Sequence, residues 1–82
     1  MIKILKCEAV KDFNLEITFS SGESGHFDGQ AYLAEHAGSL LEPLRDKSYF
    51  QKAFIDAGAL CWPNGLELSA KRVLGLCKLF AN

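Results

Sequence analysis

The sequence predicts an α+β domain: a three-stranded antiparallel meander, short helices, two further strands and a C-terminal amphipathic helix. Three observations carry this expectation. Phe13, Leu15, Ile17 and Phe19 alternate with Asn14, Glu16, Thr18 and Ser20, the period of a strand with one buried face. Ala70, Val73, Leu74, Cys77 and Ala81 recur at helical spacing behind Ser69, a good N-cap. Between them, Trp62-Pro63-Asn64-Gly65 marks a sharp corner set between the apolar runs Gly58-Ala59-Leu60-Cys61 and Leu66-Glu67-Leu68.

Taken in order, the chain opens with an extended, imperfectly alternating stretch from Ile2 to Val10, closed by the turn signal Lys11-Asp12. The alternating strand follows. Ser20-Ser21-Gly22-Glu23 is a turn, and Ser24 to Asp28 reads as the returning strand with Phe27 inward. Gln30 to Glu35 is expected to form a short helix or turn carrying Tyr32 and Leu33, broken by Gly38 and Ser39. Leu40, Leu41 and Leu44 surround Pro43 in an irregular, buried segment. Asp46 suits the N-cap of a short helix from Lys47 to Lys52, with Tyr49 and Phe50 packing down. Ala53 to Ala57 and Ala59 to Trp62 read as two strands around Gly58.

At the corner, Pro63 presets the second position of a type I turn and Gly65 takes positive φ after it. Trp62 brings a large apolar area and one N–H in need of a partner, and is expected in the core. The last helix is expected to run from Ala70 to the chain end, with Lys78 in its final turn, where it suits the helix dipole. Leu76, Leu79 and Phe80 widen the apolar arc of that helix beyond what one sheet face covers.

The 82 residues suffice for one small domain, residues 1–82, which buries about three fifths of its unfolded surface. Apolar residues are 49% and charged residues 23%, so the chain is not disordered by composition. The net charge is −1 and the nine Lys and Arg are dispersed, which argues against nucleic acid as a partner. No apolar run reaches the length a bilayer needs, and Met1-Ile2-Lys3-Ile4-Leu5-Lys6 does not resemble a signal peptide. Cys7, Cys61 and Cys77 are an odd number at wide spacing. They read as small buried hydrophobes in a reducing cytoplasm, neither a disulfide framework nor a zinc pattern.

Most chemistry-bearing residues have plain structural roles. His26 and Asp28 share a strand face, but no third ligand stands at motif spacing, so His26 and His36 read as surface residues and no metal is expected. Cys61 lacks a neighbouring base or an electropositive setting, so no nucleophile is assigned. Ser20 to Gly25 lacks the lysine and following helix of a phosphate loop. Asp28, Glu42, Asp46, Asp56 and Glu67 are scattered, and capping or turn roles explain several. No catalytic set and no cofactor is expected. Candidate ligand-binding residues are Trp62, Asn64 and Asp28.

Phe19 and Gly22, Phe27-Asp28, Glu42-Pro43-Leu44-Arg45-Asp46 with Phe50, Ile55-Asp56 with Gly58, and Trp62-Pro63-Asn64-Gly65 with Glu67-Leu68 form a pattern across most of the chain. In these residues the sequence resembles the domain-of-unknown-function 2442 family of small bacterial proteins. The resemblance implies a curved antiparallel sheet with packed helices and no established activity. It also implies two settings: some members carry a helix-turn-helix domain after this one, and some are encoded beside a second small protein in toxin–antitoxin-like pairs. With the sequence running to Asn82, the helix-turn-helix domain is not expected within it. Leu66 and the apolar stretch Ala70 to Phe80 depart from the family pattern.

Two function classes follow. The first is a non-enzymatic interaction or regulatory module, antitoxin-like, that forms a homodimer through Leu76, Leu79 and Phe80 or meets a second small protein encoded nearby. The alternative is a small-ligand-binding or enzymatic domain with a pocket near the Trp-Pro-Asn-Gly corner. Convergent polar groups in a pocket would favour the alternative, and an apolar patch buried between chains would favour the first.

Overall fold

Strand β2, Asn14–Phe19, is the centre of the larger sheet, and its alternation is realised as expected: Leu15, Ile17 and Phe19 are buried while Glu16 is exposed. The computed structural model describes residues 1–81. Strand β1, Ile4–Lys11, pairs antiparallel with β2, with register shifts between Ile4 and Lys6 and between Ala9 and Lys11. Strand β3, Ser24–Asp28, pairs with the other side of β2, placing Phe27 opposite Leu15 and Gly25 opposite Ile17. The meander of the sequence reading is therefore present, and its turn at Asp12 takes positive φ (50°).

Helix α1, Gly29–Glu35, begins where β3 ends. Asp28 caps it by accepting from the Ala31 N–H at 3.1 Å. Tyr32 and Leu33 face inward and are buried. Arg45 closes its other end: Nη1 donates to the Leu33 carbonyl at 2.9 Å and Nη2 to the His36 carbonyl at 3.0 Å. A helix terminus leaves such carbonyls without partners, and a guanidinium fork satisfies two at once. The segment expected to be irregular is a short 3-10 turn, Glu42–Arg45, with Leu41 and Leu44 buried and Leu40 exposed. Helix α2, Lys47–Phe50, is shorter than expected and ends before Lys52. Asp46 stands at its N-cap without capping it, because its carboxylate accepts the Ser48 hydroxyl at 2.8 Å.

A second sheet of three antiparallel strands follows: β4, Phe54–Asp56, β5, Ala59–Cys61, and β6, Glu67–Leu68, in the order β4-β5-β6. β6 was not expected. It forms because the corner at Pro63-Asn64 reverses the chain and lays Leu68 beside Leu60. One core cluster joins both sheets and the helices, with Phe19, Phe27, Phe50, Leu60, Trp62 and Val73 at its heart.

The expected C-terminal helix is corrected. Helix α3 covers only Ala70–Leu76, capped by Ser69 Oγ, which accepts from the Arg72 N–H at 3.1 Å. At Cys77 the backbone becomes extended (φ −74°, ψ 147°), and strand β7, Lys78–Leu79, joins the larger sheet in the order β1-β2-β3-β7. Lys78 therefore lies in a strand and not in a last helical turn. The physical reason is β3's second edge, whose N–H and C=O groups would otherwise be unpaired. Gly25 lets β7 come close: a Cβ there would stand 2.6 Å from the Lys78 carbonyl oxygen and 2.9 Å from Leu79 Cα. A competing helix would gain less here, since Gly75 weakens it from within.

Candidate functional site

The Trp-Pro-Asn-Gly corner is built from hydrogen bonds that its own residues supply. The Gly65 N–H donates to the Trp62 carbonyl at 3.1 Å, closing the turn, and Gly65 has φ +92°. Asn64 is not among the residues at positive φ, as a type I turn requires. The Trp62 N–H donates to the Leu66 carbonyl at 3.0 Å. Trp62 is buried and its Nε1–H donates to the Phe50 carbonyl at 2.9 Å. Asn64 Nδ2 donates to the Leu40 carbonyl at 2.8 Å, and its Oδ1 accepts the Leu66 N–H at 3.3 Å.

The three ligand candidates are thus placed on separate duties. Trp62 fills the core, Asn64 pins the corner to the Leu40 loop, and Asp28 caps α1. Trp62 lines an open groove beside the corner together with Phe54, Asp56, Cys61, Pro63 and Glu67, whereas Asp28 lines a different one with Tyr32, His36 and Leu76. The structure does not bring the three together.

The thiols are equally constrained. Cys61 Sγ lies 3.8 Å from both the Ala59 carbonyl and Glu67 Oε2. Burial raises its pKa first, and the negative charges of Glu67 and Asp56 raise it further. Burial pushes Cys7 up to about 11, and Cys77, with Cys7 nearby, also to about 11. All three are free cysteines. Among the described residues, no group of three or more His, Cys, Asp or Glu side chains converges as metal ligands do, and no helix is long and apolar enough to cross a membrane.

Two arrangements were not legible in the sequence. The first is a row across the larger sheet, Glu8 opposite Glu16, Glu16 opposite His26, His26 opposite Lys78. Half of it follows from the alternation of β2, but helical spacing from Ala70 onward gives Lys78 no strand partner. The second is a stack between α1 and α3. The His36 ring lies on Tyr32 at 4.2 Å and 19°, and the Arg72 guanidinium sits 5.9 Å from the Tyr32 ring. His36 Nδ1 donates to the Tyr32 carbonyl at 2.9 Å, which leaves Nε2 to face Arg72 Nη2 at 3.5 Å. His36 is therefore a helix-joining residue and not a plain surface one.

The interface candidates occupy one region. Leu76 ends α3, Leu79 lies in β7, and Phe80 follows it with its ring 5.9 Å from His26. They do not share a helical arc, as the spacing implied, but all three are exposed: 40%, 41% and 46% respectively.

Compared with known proteins, the chain gives no match among curated proteins and none among solved structures. A family model described as "Protein of unknown function (DUF2442)" matches residues 5–78. That span takes in the meander, the corner and the start of β7, so the chain belongs to the DUF2442 family.

Proposed function

We propose that this protein is a non-enzymatic interaction module that self-associates and acts as a regulatory, antitoxin-like partner of a second small protein. The observation that carries this reading is the exposure of Leu76, Leu79 and Phe80 around a two-residue edge strand. Apolar side chains grouped at a sheet edge are a surface that gains by being covered. A small domain also gains stability by burying area against a second chain. Trp62 Nε1, both side-chain polar atoms of Asn64 and one carboxylate oxygen of Asp28 already have partners within the chain, which leaves the corner few groups to orient a ligand. The scattered cations and the net charge of −1 do not favour nucleic acid. A cytoplasmic setting suits three free thiols.

Light scattering over a concentration series tests self-association: the mass is expected to rise towards the dimer in the micromolar range. Substituting Leu79→Glu or Phe80→Glu is expected to shift it back more than Lys71→Glu. Affinity capture from the native cell, with mass analysis of the bound fraction, tests the second partner. Turnover of small-molecule substrates by purified protein, abolished by a substitution at the corner, would overturn the non-enzymatic reading.

A further inference from the structure

The pairing of β7 with β3 fixes which of its backbone groups are used. Gly25 lies opposite Leu79 and His26 opposite Lys78, and the Phe80 N–H donates to the Ser24 carbonyl at 2.9 Å. In an antiparallel ladder, hydrogen-bonded and non-bonded pairs alternate. Ser24 with Phe80 and His26 with Lys78 are then the bonded pairs, and Gly25 with Leu79 is the close, non-bonded one. The tight approach of Leu79 Cα to the place of a Gly25 Cβ, 2.9 Å, agrees with that assignment. The N–H and C=O of Leu79 therefore point away from the sheet, at an edge where Lys78, Leu79 and Phe80 are all exposed.

We propose that β7 joins two copies of the chain by antiparallel pairing across a two-fold axis at Leu79, so that each four-stranded sheet continues into the other. The proposal rests on the self-association reading and specifies its geometry. A two-fold axis needs a self-complementary edge. Centred on Leu79, the pairing makes two reciprocal bonds, each Leu79 N–H to the Leu79 carbonyl of the second copy. It also sets Lys78 of each copy opposite Phe80 of the other, a cation facing an aromatic ring. The two Leu79 side chains meet on the opposite face. Shifting the axis to Lys78 would oppose two lysines and leave Phe80 uncovered. Centring it on Phe80 would make the two Phe80 residues a non-bonded pair and move the bonded pairs to Leu79 with Ala81, beyond the two-residue strand.

Two variants separate backbone pairing from side-chain packing. Leu79→Pro removes the outward N–H together with the leucine side chain, at a position where an edge strand tolerates proline, and Leu79→Ala, which keeps the N–H, is its control for the side chain. It is expected to weaken dimerisation at least about tenfold, as the loss of two symmetric bonds and their alignment implies. The Phe80 amide should remain protected from hydrogen exchange. Leu79→Cys is expected to form an intermolecular disulfide between the two substituted positions under mild oxidation, since paired residues stand within the Cα range of a disulfide. Lys71→Cys should form none. A dimer that survives Leu79→Pro, gives no disulfide with Leu79→Cys and yet dissociates with Leu76→Glu overturns the strand pairing while leaving self-association standing. A wild-type mass that stays monomeric on concentration overturns both. Should Leu79→Pro fail to fold, the disulfide and its mapping by mass spectrometry decide the matter.

Discussion

Trp62 and Phe50, 12 residues apart, are locked together twice: the indole Nε1–H donates to the Phe50 carbonyl at 2.9 Å, and the two rings lie 5.6 Å apart at 49°. Both side chains are almost wholly buried. The contact ties the corner after β5 to the end of α2, so one side chain sets the position of two otherwise short elements. It also places the one polar atom of the indole where it needs no water.

Trp62→Ala is therefore expected to cost about 3–5 kcal/mol, the range for emptying a buried aromatic site. Trp62→Phe keeps most of the packing and loses the hydrogen bond, at a cost of about 1–2 kcal/mol. The Phe50 carbonyl keeps the Ala53 N–H at 3.3 Å, which holds the second figure down. Urea unfolding of both variants checks the order. A Trp62→Ala protein with the wild-type midpoint would remove Trp62 from the core and reopen a ligand-stacking role.

The hairpin between β4 and β5 contains a strained residue. Asp56 pairs with Ala59, so Ala57 and Gly58 form a two-residue turn, and both take positive φ, 52° and 80°. Such turns favour Asn-Gly, and an alanine held in the left-handed region costs about 1 kcal/mol. Ala57→Asn is expected to stabilise the protein by about that amount, since Ala57 is exposed and its replacement meets no packing conflict. An unchanged or lowered melting temperature would count against this turn geometry.

Gly25 gives a separate prediction about β7. Gly25→Ala forces the β7 backbone outward, because the new Cβ has no room beside the Lys78 carbonyl. Overpacking of this kind costs about 1–3 kcal/mol. The loss is expected to be local: the Phe80 amide, bonded to Ser24 at 2.9 Å, should exchange much faster, while amides between β1 and β2 stay protected. Uniform acceleration across all strands would show that β7 is not a separable unit.

Much of the fold was legible because local rules and tertiary packing agreed. The alternation of β2, the cap at Ser69 and the Pro63-Asn64-Gly65 turn each state their own geometry. β7 was not legible. Cys77 to Phe80 fits a helix as well as a strand, and the deciding partner, Gly25, lies on another strand. The candidate site misled for a similar reason. Trp62 and Asn64 looked available, but their partners Phe50 and Leu40 are 12 and 24 residues away. No local pattern reports a hydrogen bond of that span. The role of His36 is invisible in the sequence because Tyr32 and Arg72 meet it only once α1 and α3 are packed.

The thiols make stability depend on alkaline pH, and the sign follows from their burial. Cys7 and Cys77 both have pKa values raised from 9.0 to about 11. In the unfolded chain each thiol ionises near its ordinary value, so between pH 9 and 11 the unfolded state holds fewer protons than the folded one. Stability then falls as pH rises through that window and is fully present below it. Lysines and tyrosines titrate in the same region, so the thiol contribution is read by difference. The Cys7→Ala, Cys77→Ala double variant should lose less stability than the wild type between pH 9 and 11, measured by urea unfolding at each pH. The same burial makes the thiolate scarce at neutral pH, so alkylation of these two cysteines at pH 8 should be slow in the folded protein and fast in urea. Parallel stability curves for the two proteins, with alkylation as fast folded as unfolded, would show that neither thiol is held protonated by the fold.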